Sequence, residues 1–294
     1  MRAGYTTEVG KYLDRVGAFL RRRPVEHSFL LNAAATRIGE DVAGPGSNHW
    51  CWVEDGNGVV ATAQHTPPHG VCLSTGPPEA VRIFASTLWR LCPELPGVTG
   101  IGMAAHEFAA EWSRLGGPQA TPGMRQGLYA AEEVNIPFGI AGRFRLARDA
   151  DAPTLCDWLD HFVAEAGLAA RAKNEVASRI DAGLLFVWEA DNVVVSMAAI
   201  TVAQGGVSRV QLVYTPPQHR RRGFASACVA ALTARELASP GRTCMLNTDL
   251  SNPTSNGIYQ AIGYRRVGEA DELTFLIIDR GTRFMTEDGA KPGP

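Results

Sequence analysis

Residues 213–225 read VYTPPQHRRRGFA, which is the end of an apolar strand followed by a basic turn that contains a glycine. A helical pattern of apolar residues begins directly after this turn. Gly223 lets the backbone approach an anion closely, and the free N–H groups of a first helical turn point toward it. Arg220–Arg222 add positive charge at the same place. The stretch therefore predicts a phosphate-binding loop, R-x-x-G-x-A, at the start of a helix.

A second block, residues 252–264, follows the short predicted strand Cys244–Thr248. Asn252 suits the cap of a helix, and Pro253 suits its first position. Asn252 and Tyr259 are separated by two helical turns, so both side chains lie on one face of that helix. The block predicts a short helix that presents an amide and a phenol in the same direction.

These two blocks, in this order, resemble the GNAT family of acyl-CoA-dependent N-acyltransferases. The resemblance implies an α/β GNAT acyltransferase fold with mixed central sheets, acetyl-CoA as cofactor, coenzyme A as product and no metal. In that family the arginine–glycine loop binds the pyrophosphate, and the preceding strand pairs with the pantetheine arm. Alanine at position 225, where glycine is commonest, still fits the family pattern. The implied cofactor-binding residues are Val213, Tyr214, Thr215, Arg220, Arg221, Arg222, Gly223, Phe224, Ala225, Ser226, Asn252 and Tyr259.

The resemblance also makes Tyr259 the general acid of an acyl transfer. A thiol is more acidic than a phenol, so Tyr259 is expected to assist mainly as a hydrogen-bond donor. An aliphatic amine must lose a proton, which costs about 4 to 5 kcal/mol at pH 7, so a base is also needed. Asp249 is the favoured base because it precedes the Asn252 helix, although a purely structural turn role is an equal alternative. The carboxylates near the expected strand ends are Glu189, Asp249, Glu269, Asp271 and Glu272.

A weak internal repeat predicts two GNAT-like halves. Residues 52–61 and 187–196 both read as hairpins with an acidic, asparagine-containing turn, although any two hairpins look alike at this level. Glycine and proline in residues 137–142 suggest the linker. The first half lacks R-x-x-G-x-A, and its glycine run at residues 97–102 predicts a turn. We therefore predict a degenerate GNAT-like domain over 1–138, an acetyl-CoA-binding catalytic domain over 139–284, and a loose tail over 285–294.

Composition narrows the class of partner. The chain has 294 residues, 45% of them hydrophobic, and a net charge of −2, which fits a soluble globular protein and argues against a dedicated nucleic-acid binder. No apolar run is long enough to span a membrane. Six scattered cysteines and a polar N-terminus favour reduced thiols in the cytoplasm. His65 and His69 have the spacing of a helical metal pair, but Pro67 and Pro68 exclude a helix between them, so no metal is expected.

The leading hypothesis is an N-acetyltransferase in which an amine of a small molecule or peptide attacks acetyl-CoA directly. One alternative is a non-catalytic acyl-CoA-binding or sensing module, and another is a tandem transferase with a larger acyl donor or a thiol-metabolite acceptor. We expect surfaces between the halves to bind the acceptor, with His65, His69, Trp158 and His161 as candidate contacts. Neither a nucleic acid nor a membrane is expected as a partner. The oligomeric state stays open, and a homodimer is compatible with the sequence.

Overall fold

The computed structural model describes residues 1–39, 47–167 and 174–275. Within these ranges the chain forms one twelve-stranded mixed sheet with helices packed on both faces. None of the described helices has the length and apolar character needed to cross a bilayer. The α/β class predicted from the sequence is confirmed. The predicted loose tail, residues 285–294, lies outside the described residues.

The first helix of the first half has apolar residues that recur at helical spacing. Val9, Tyr12, Val16 and Leu20 are buried along one stripe of it, and Arg21 in its last turn complements the helix dipole. The strands of this half are β1 (Arg2–Thr6), β2 (His49–Asp55), β3 (Gly58–His65), β4 (Val71–Leu73), β5 (Gly97–Ile101) and β6 (Ala120–Ala131). Its helices are α1 (Val9–Arg21), α2 (Ser28–Ala35), α3 (Pro78–Leu91) and α4 (Ala104–Arg114).

The second half repeats this element order. Its strands are β7 (Arg143–Leu146), β8 (Leu185–Ala190), β9 (Val193–Ile200), β10 (Val207–Tyr214), β11 (Thr243–Asp249) and β12 (Arg265–Phe275). Its helices are α5 (Ala152–Glu165), α6 (Glu175–Asp181), α7 (Phe224–Leu237) and α8 (Pro253–Ala261). The sequence predicted two strands where β12 runs continuously as far as Phe275, and the described part of the helix predicted at 170–182 begins at Glu175.

The two hairpins of the predicted repeat have the same irregularity. The β2–β3 register shifts between Val53 and Glu54, and the β8–β9 register shifts between Trp188 and Glu189. These shifts fall at the positions that the sequence repeat aligns with each other. A shared bulge is a more specific likeness than a shared hairpin, because bulges fix which side chains point to which face. The shared bulge therefore supports the predicted repeat, and the division into two domains stays a prediction.

The two halves exchange their last strands. The strand order is β1-β2-β3-β4-β5-β12-β6-β11-β10-β9-β8-β7. Strand β12 of the second half pairs antiparallel with β5 of the first half, and β6 of the first half pairs antiparallel with β11 of the second. Strands β6 and β12 also pair with each other at the centre of the sheet. Each half therefore depends on the other to complete its sheet.

The helices form two layers, and β8 shows which layer packs on which face. Leu185 and Val187 belong to the core cluster that contains α5 residues, whereas Phe186 belongs to the cluster beneath α7. Helices α1, α2, α5 and α6 share one face, since Ser28 of α2 donates a 3.2 Å hydrogen bond to the sulfur of Met245 in β11. Helices α3, α4, α7 and α8 cover the other face.

The glycine run at residues 97–102 is mostly strand rather than the predicted turn. Residues 97–101 form strand β5, and the turn is confined to Gly102 and Met103 before α4. An ideal Cβ at Gly97 would lie 2.5 Å from the carbonyl oxygen of Leu273, and one at Gly100 would lie 2.6 Å from the nitrogen of Ala105. Glycine is needed at these two positions because β12 and α4 approach the β5 backbone closely.

The exchanged strands predict how fragments behave. We expect residues 139–294 alone to aggregate or stay unfolded, because β11 and β12 lose β6 from between them and expose their backbone groups. A fragment of residues 118–294 keeps β6 and should show more native secondary structure and a cooperative thermal transition by circular dichroism. Equal folding of the two fragments would contradict this dependence. The comparison also tests the predicted division at residue 138.

Candidate functional site

Two parallel strands separate in the second half of the sheet. Strands β10 and β11 pair at only three positions, from Val207 with Thr243 to Arg209 with Met245. Beyond that point β10 follows β9 and β11 follows β6. Leu212 has a φ of +51°, and the β9–β10 register is irregular between Gln211 and Tyr214. The bulge turns the end of β10 away from β11 and opens a gap in the sheet.

The first backbone N–H groups of helix α7 have no hydrogen-bond partner within the helix. Gly223 is its N-cap residue, with a φ of +78°, and no side chain caps the helix. The first helical hydrogen bond runs from the N–H of Ala227 to the carbonyl of Gly223, so the N–H groups of residues 224–226 have no partner within the helix. An ideal Cβ at Gly223 would lie 2.6 Å from Cδ1 of Ile140. This arrangement is an anion-binding cradle of the kind that helix N-termini provide.

The three arginines before Gly223 differ in their roles. Arg220 donates to the carboxylate of Glu165 at 2.7 Å and to the carbonyl of Thr215 at 2.8 Å. The guanidinium of Arg222 lies 4.7 Å from the centre of the Phe224 ring. Arg221 adopts a φ of +61°, in the left-handed region that residues other than glycine rarely enter. Arg220 therefore holds the loop to the end of β10 rather than simply adding charge.

The end of β10 is fixed by side-chain hydrogen bonds. Tyr214 is buried, and its hydroxyl donates to Glu165 at 3.1 Å. The hydroxyl of Thr215 donates to Ser196 at 2.9 Å, and Ser196 donates to the carbonyl of Tyr214 at 3.1 Å. Val213 packs against the core beneath α7. These contacts order the strand before it reaches the arginine turn.

In helix α8 the predicted amide is exposed and caps the helix, whereas the predicted phenol is buried. The side chain of Asn252 is the N-cap and accepts a 3.1 Å hydrogen bond from the N–H of Ser255. Tyr259 is buried beside Leu246, with its ring centre 6.1 Å from that of Tyr264. Burial raises the pKa of Tyr259 to about 12. The phenol is therefore protonated at neutral pH and can donate a hydrogen bond.

Asp249 makes a turn rather than projecting freely. Its carboxylate accepts a 2.8 Å hydrogen bond from the N–H of Ser251, two residues later. Its carbonyl accepts hydrogen bonds from the N–H of Asn252 at 3.0 Å and from the side chain of Asn256 at 3.2 Å. This geometry is the structural alternative that the sequence left open. The catalytic role of Asp249 stays a prediction.

Three of the other candidate carboxylates are held by basic side chains. Glu189 binds Arg145 at 2.6 Å, and hydrogen bonds from Arg145 and then Arg143 hold the pKa of that carboxyl below its usual range. Glu269 lies 2.5 Å from Arg125. Asp271 lies 3.0 Å from His106. Among the five candidates, Glu272 is the one that lines the large cleft on the α2 and α6 face.

That cleft spans both halves of the chain and has a volume of about 870 Å³. Its walls include Phe29 of α2 and Glu175 of α6, and the guanidinium of Arg209 lies 5.4 Å from the Phe29 ring centre. Its floor comprises residues of five strands, among them Cys72, Thr99, Gln126, Met245, Asn247 and Glu272. A cleft of this size with a few polar groups is suited to a small molecule or the end of a peptide.

Several buried polar atoms around the strand gap have no hydrogen-bond partner within the described residues. They are Nδ1 of His219, Oδ1 of Asn247 and Oδ1 of Asn256. Leaving such groups unsatisfied is costly, so a polar ligand that satisfies them would gain affinity. His219 precedes the arginine turn, Asn247 lies on β11, and Asn256 lies in the first turn of α8. The residues present thus fit a polar ligand in the gap.

The predicted acceptor contacts do not cluster. His69 lines the cleft, whereas His65 lies beside His49 and Cys92 on the opposite face. Trp158 of α5 is buried beside Tyr214, and Nδ1 of the exposed His161 on the same helix is 2.8 Å from the carbonyl of Asp157. The structure therefore brings one of these four residues to the cleft.

Sequence reasoning missed Gln126 and Asn247. The side chain of Asn247 donates a 3.0 Å hydrogen bond to Gln126, and both residues line the cleft. No local pattern identifies this pair, because Gln126 reaches β11 only through the exchange of β6.

Comparison with known proteins supports the fold. A family model described as "FR47-like protein" matches residues 190–273, which include the arginine turn and α8. No curated protein matches the sequence. A GNAT-family acetyltransferase from Colwellia psychrerythraea is similar over 94% of this chain and 100% of its own, with a TM-score of 0.61 and 11% identity.

Two further solved structures show the same fold. A GCN5-related N-acetyltransferase from Sphaerobacter thermophilus matches 82% of this chain and 84% of its own, with a TM-score of 0.56 and 12% identity. A tandem GNAT protein from the clavulanic acid biosynthesis pathway matches 93% of this chain and 98% of its own, with a TM-score of 0.55 and 13% identity. The predicted resemblance is confirmed at the level of the fold, which is that of tandem GNAT structures, and residues 190–273 match the FR47-like family model.

Proposed function

We propose that this protein is an acyl-CoA-dependent N-acyltransferase that moves an acetyl group from acetyl-CoA to an amine by direct attack. The observation that carries the proposal is the gap between β10 and β11, which opens beside both the Gly223 cradle and the α8 helix. Acetyl-CoA supplies an activated thioester when bound. Residues of this chain would bind the diphosphate, position the amine and donate a hydrogen bond to the thioester sulfur.

The diphosphate of coenzyme A fits the cradle at the start of α7. Backbone N–H groups of residues 224–226 are available there, and α7 has no acidic residue in its first turn. Arg221 and Arg222 supply positive charge beside them. The pantetheine amides would bind along the separated end of β10, near Val213 and Thr215. This assignment uses backbone donors, which explains why a glycine rather than a charged side chain is the critical residue.

Tyr259 would donate a hydrogen bond to the sulfur as charge develops on it. A pKa of about 12 lies some three to four units above that of an ordinary thiol, so complete proton transfer is uphill by about 4 to 5 kcal/mol. A hydrogen bond in a buried site still stabilises the developing thiolate without full transfer. Burial therefore keeps the donor protonated while limiting it to this supporting role.

The amine acceptor would bind in the cleft between the halves. Glu272 is the best-placed base there, because it lines the cleft while Glu26 binds Arg23 and Glu175 binds Arg179. It replaces Asp249 as our favoured base, since Asp249 already holds its own turn. The base removes one proton from the ammonium, directly or through water, and the free amine then attacks. Transfer forms the amide bond, breaks the thioester C–S bond and passes a second nitrogen proton to the departing sulfur, so that coenzyme A leaves as the thiol.

Cofactor binding is tested by adding a carboxylate at the cradle. We expect Gly223→Glu to weaken coenzyme A binding by more than about tenfold in calorimetry, because the new charge repels the diphosphate. Gly241→Glu is the matched control: Gly241 has a φ of +71°, and its site is open to solvent at the other end of α7. Equal losses in both variants would indicate strain rather than an anion site.

Turnover is tested by thiol release from acetyl-CoA across a panel of amines. We expect acceptor-dependent release, with Tyr259→Phe lowering kcat by roughly 100-fold. Because the pKa of Tyr259 is about 12, the phenol stays protonated up to about pH 11, so the variant should lower the pH–rate profile without changing its shape.

Tyr264→Phe controls for packing in the same test, since it removes a buried hydrogen bond to Thr233 within the same core. A similar rate loss in both variants would assign Tyr259 a structural role. Tight binding of coenzyme A with no release from any amine would instead favour a non-catalytic module.

Base catalysis is tested with Glu272→Gln. We expect kcat/KM to fall at least about tenfold near pH 7 and to recover as the pH approaches the amine pKa of about 10, where the amine loses its proton unaided. Glu269→Gln, on the same strand but paired with Arg125, is the matched control and should leave the profile unchanged. Identical profiles for wild type and Glu272→Gln would exclude this base.

A further inference from the structure

Three neighbouring strands bring aromatic and imidazole side chains to one face of the first half, opposite the cleft. His49 of β2 lies directly across from His65 of β3 in the register. Their rings stack with centres 5.5 Å apart and planes within 4° of each other. Tyr5 of β1 adds its hydroxyl 2.9 Å from Nδ1 of His49. The two histidines lie at the open end of the β2–β3 hairpin, where strand pairing brings them together.

Cys92 completes the group from another element. It follows the last residue of α3, and its sulfur lies 3.5 Å from Nδ1 of His65. Cys92 is a free thiol. The potential ligand atoms of His49, His65 and Cys92 all lie within 4.8 Å of one another.

One of these distances already has the value found in a metal site. In a tetrahedral zinc site with Zn–S of about 2.3 Å and Zn–N of about 2.0 Å, sulfur and nitrogen lie about 3.5 Å apart. The separation between Cys92 and His65 already has this value. His49 is only half-buried, so its ring can rotate to bring its nitrogen closer. Two imidazoles and one thiolate are a ligand set that zinc favours.

Metal binding would itself set the protonation of this group. Neutral imidazole is the form that binds metals, and a bound cation removes the thiol proton.

We propose that His49, His65 and Cys92 bind one divalent transition-metal ion of the zinc class, with water or the Tyr5 hydroxyl in the fourth position. The ion would join β2 and β3 to the end of α3. His65 and His69 are separated by two prolines, which excludes a helical metal pair. The neighbouring strand β2 instead places His49 beside His65. The proposal is independent of the acyl-transfer site.

Cobalt(II) substitution tests the site in the full chain. After chelation and removal of adventitious metal, we expect one Co²⁺ per chain, with thiolate charge-transfer absorption and the intense visible bands of tetrahedral coordination. Zn²⁺ should displace it and raise the thermal midpoint of unfolding. Cys92→Ser should abolish the charge-transfer band, and His49→Gln should weaken Zn²⁺ binding by about 100-fold or more in competition with a chromophoric chelator.

Cys156→Ser, at a half-buried free thiol of the second half, is the matched control and should keep both the band and the affinity. Circular dichroism checks that each variant folds. If Cys92→Ser does not fold, the Zn²⁺ affinity of His49→Gln, at a half-buried position, tests the site instead. Weak octahedral Co²⁺ spectra, or Zn²⁺ affinities that do not differ among wild type, His49→Gln and Cys156→Ser, would overturn the proposal.

Discussion

The antiparallel pairing of β6 with β12 is the interaction on which the rest of the structure depends. It joins two repeated halves into one sheet, since each of these strands also pairs with a strand of the opposite half. Backbone hydrogen bonds at this seam tolerate many side chains. Beside the seam, the close approach of β12 to β5 requires glycine at position 97. The position of the cleft follows directly, because its floor is formed where the exchanged strands meet.

The candidate site contains two kinds of binding group, backbone donors and buried side chains. At the start of α7 the chain offers backbone N–H groups and a glycine in the left-handed region, which suit an anion of fixed shape. At the gap between β10 and β11 it offers buried side-chain acceptors and a buried phenol. Desolvation strengthens hydrogen bonds at the second place and keeps Tyr259 protonated. The two places are joined by Arg220, which fixes the loop to Thr215 and Glu165.

Local sequence patterns predicted the features that depend on neighbouring residues. Gly223 before α7, Asn252 as the cap of α8 and the two hairpins were predicted correctly, because turn chemistry and capping act over a few residues. The strand exchange was not readable, since nothing in β6 or β12 specifies which half supplies its neighbour. The cleft pair of Gln126 with Asn247 and the grouping of His49 with Cys92 were missed for the same reason. Asp249 shows that position along the chain does not predict side-chain direction. It precedes α8 as expected, but its carboxylate accepts a hydrogen bond from the nearby backbone N–H of Ser251.

The strand order has one further consequence, which concerns association between molecules. Joining the halves edge to edge leaves only β1 and β7 at the borders of the described sheet. These are short strands of five and four residues, and β7 carries Arg143 and Arg145. Short, charged borders offer few unpaired backbone groups to a passing chain. A sheet of this width is thereby protected against aggregation by the placement of short strands at its two borders.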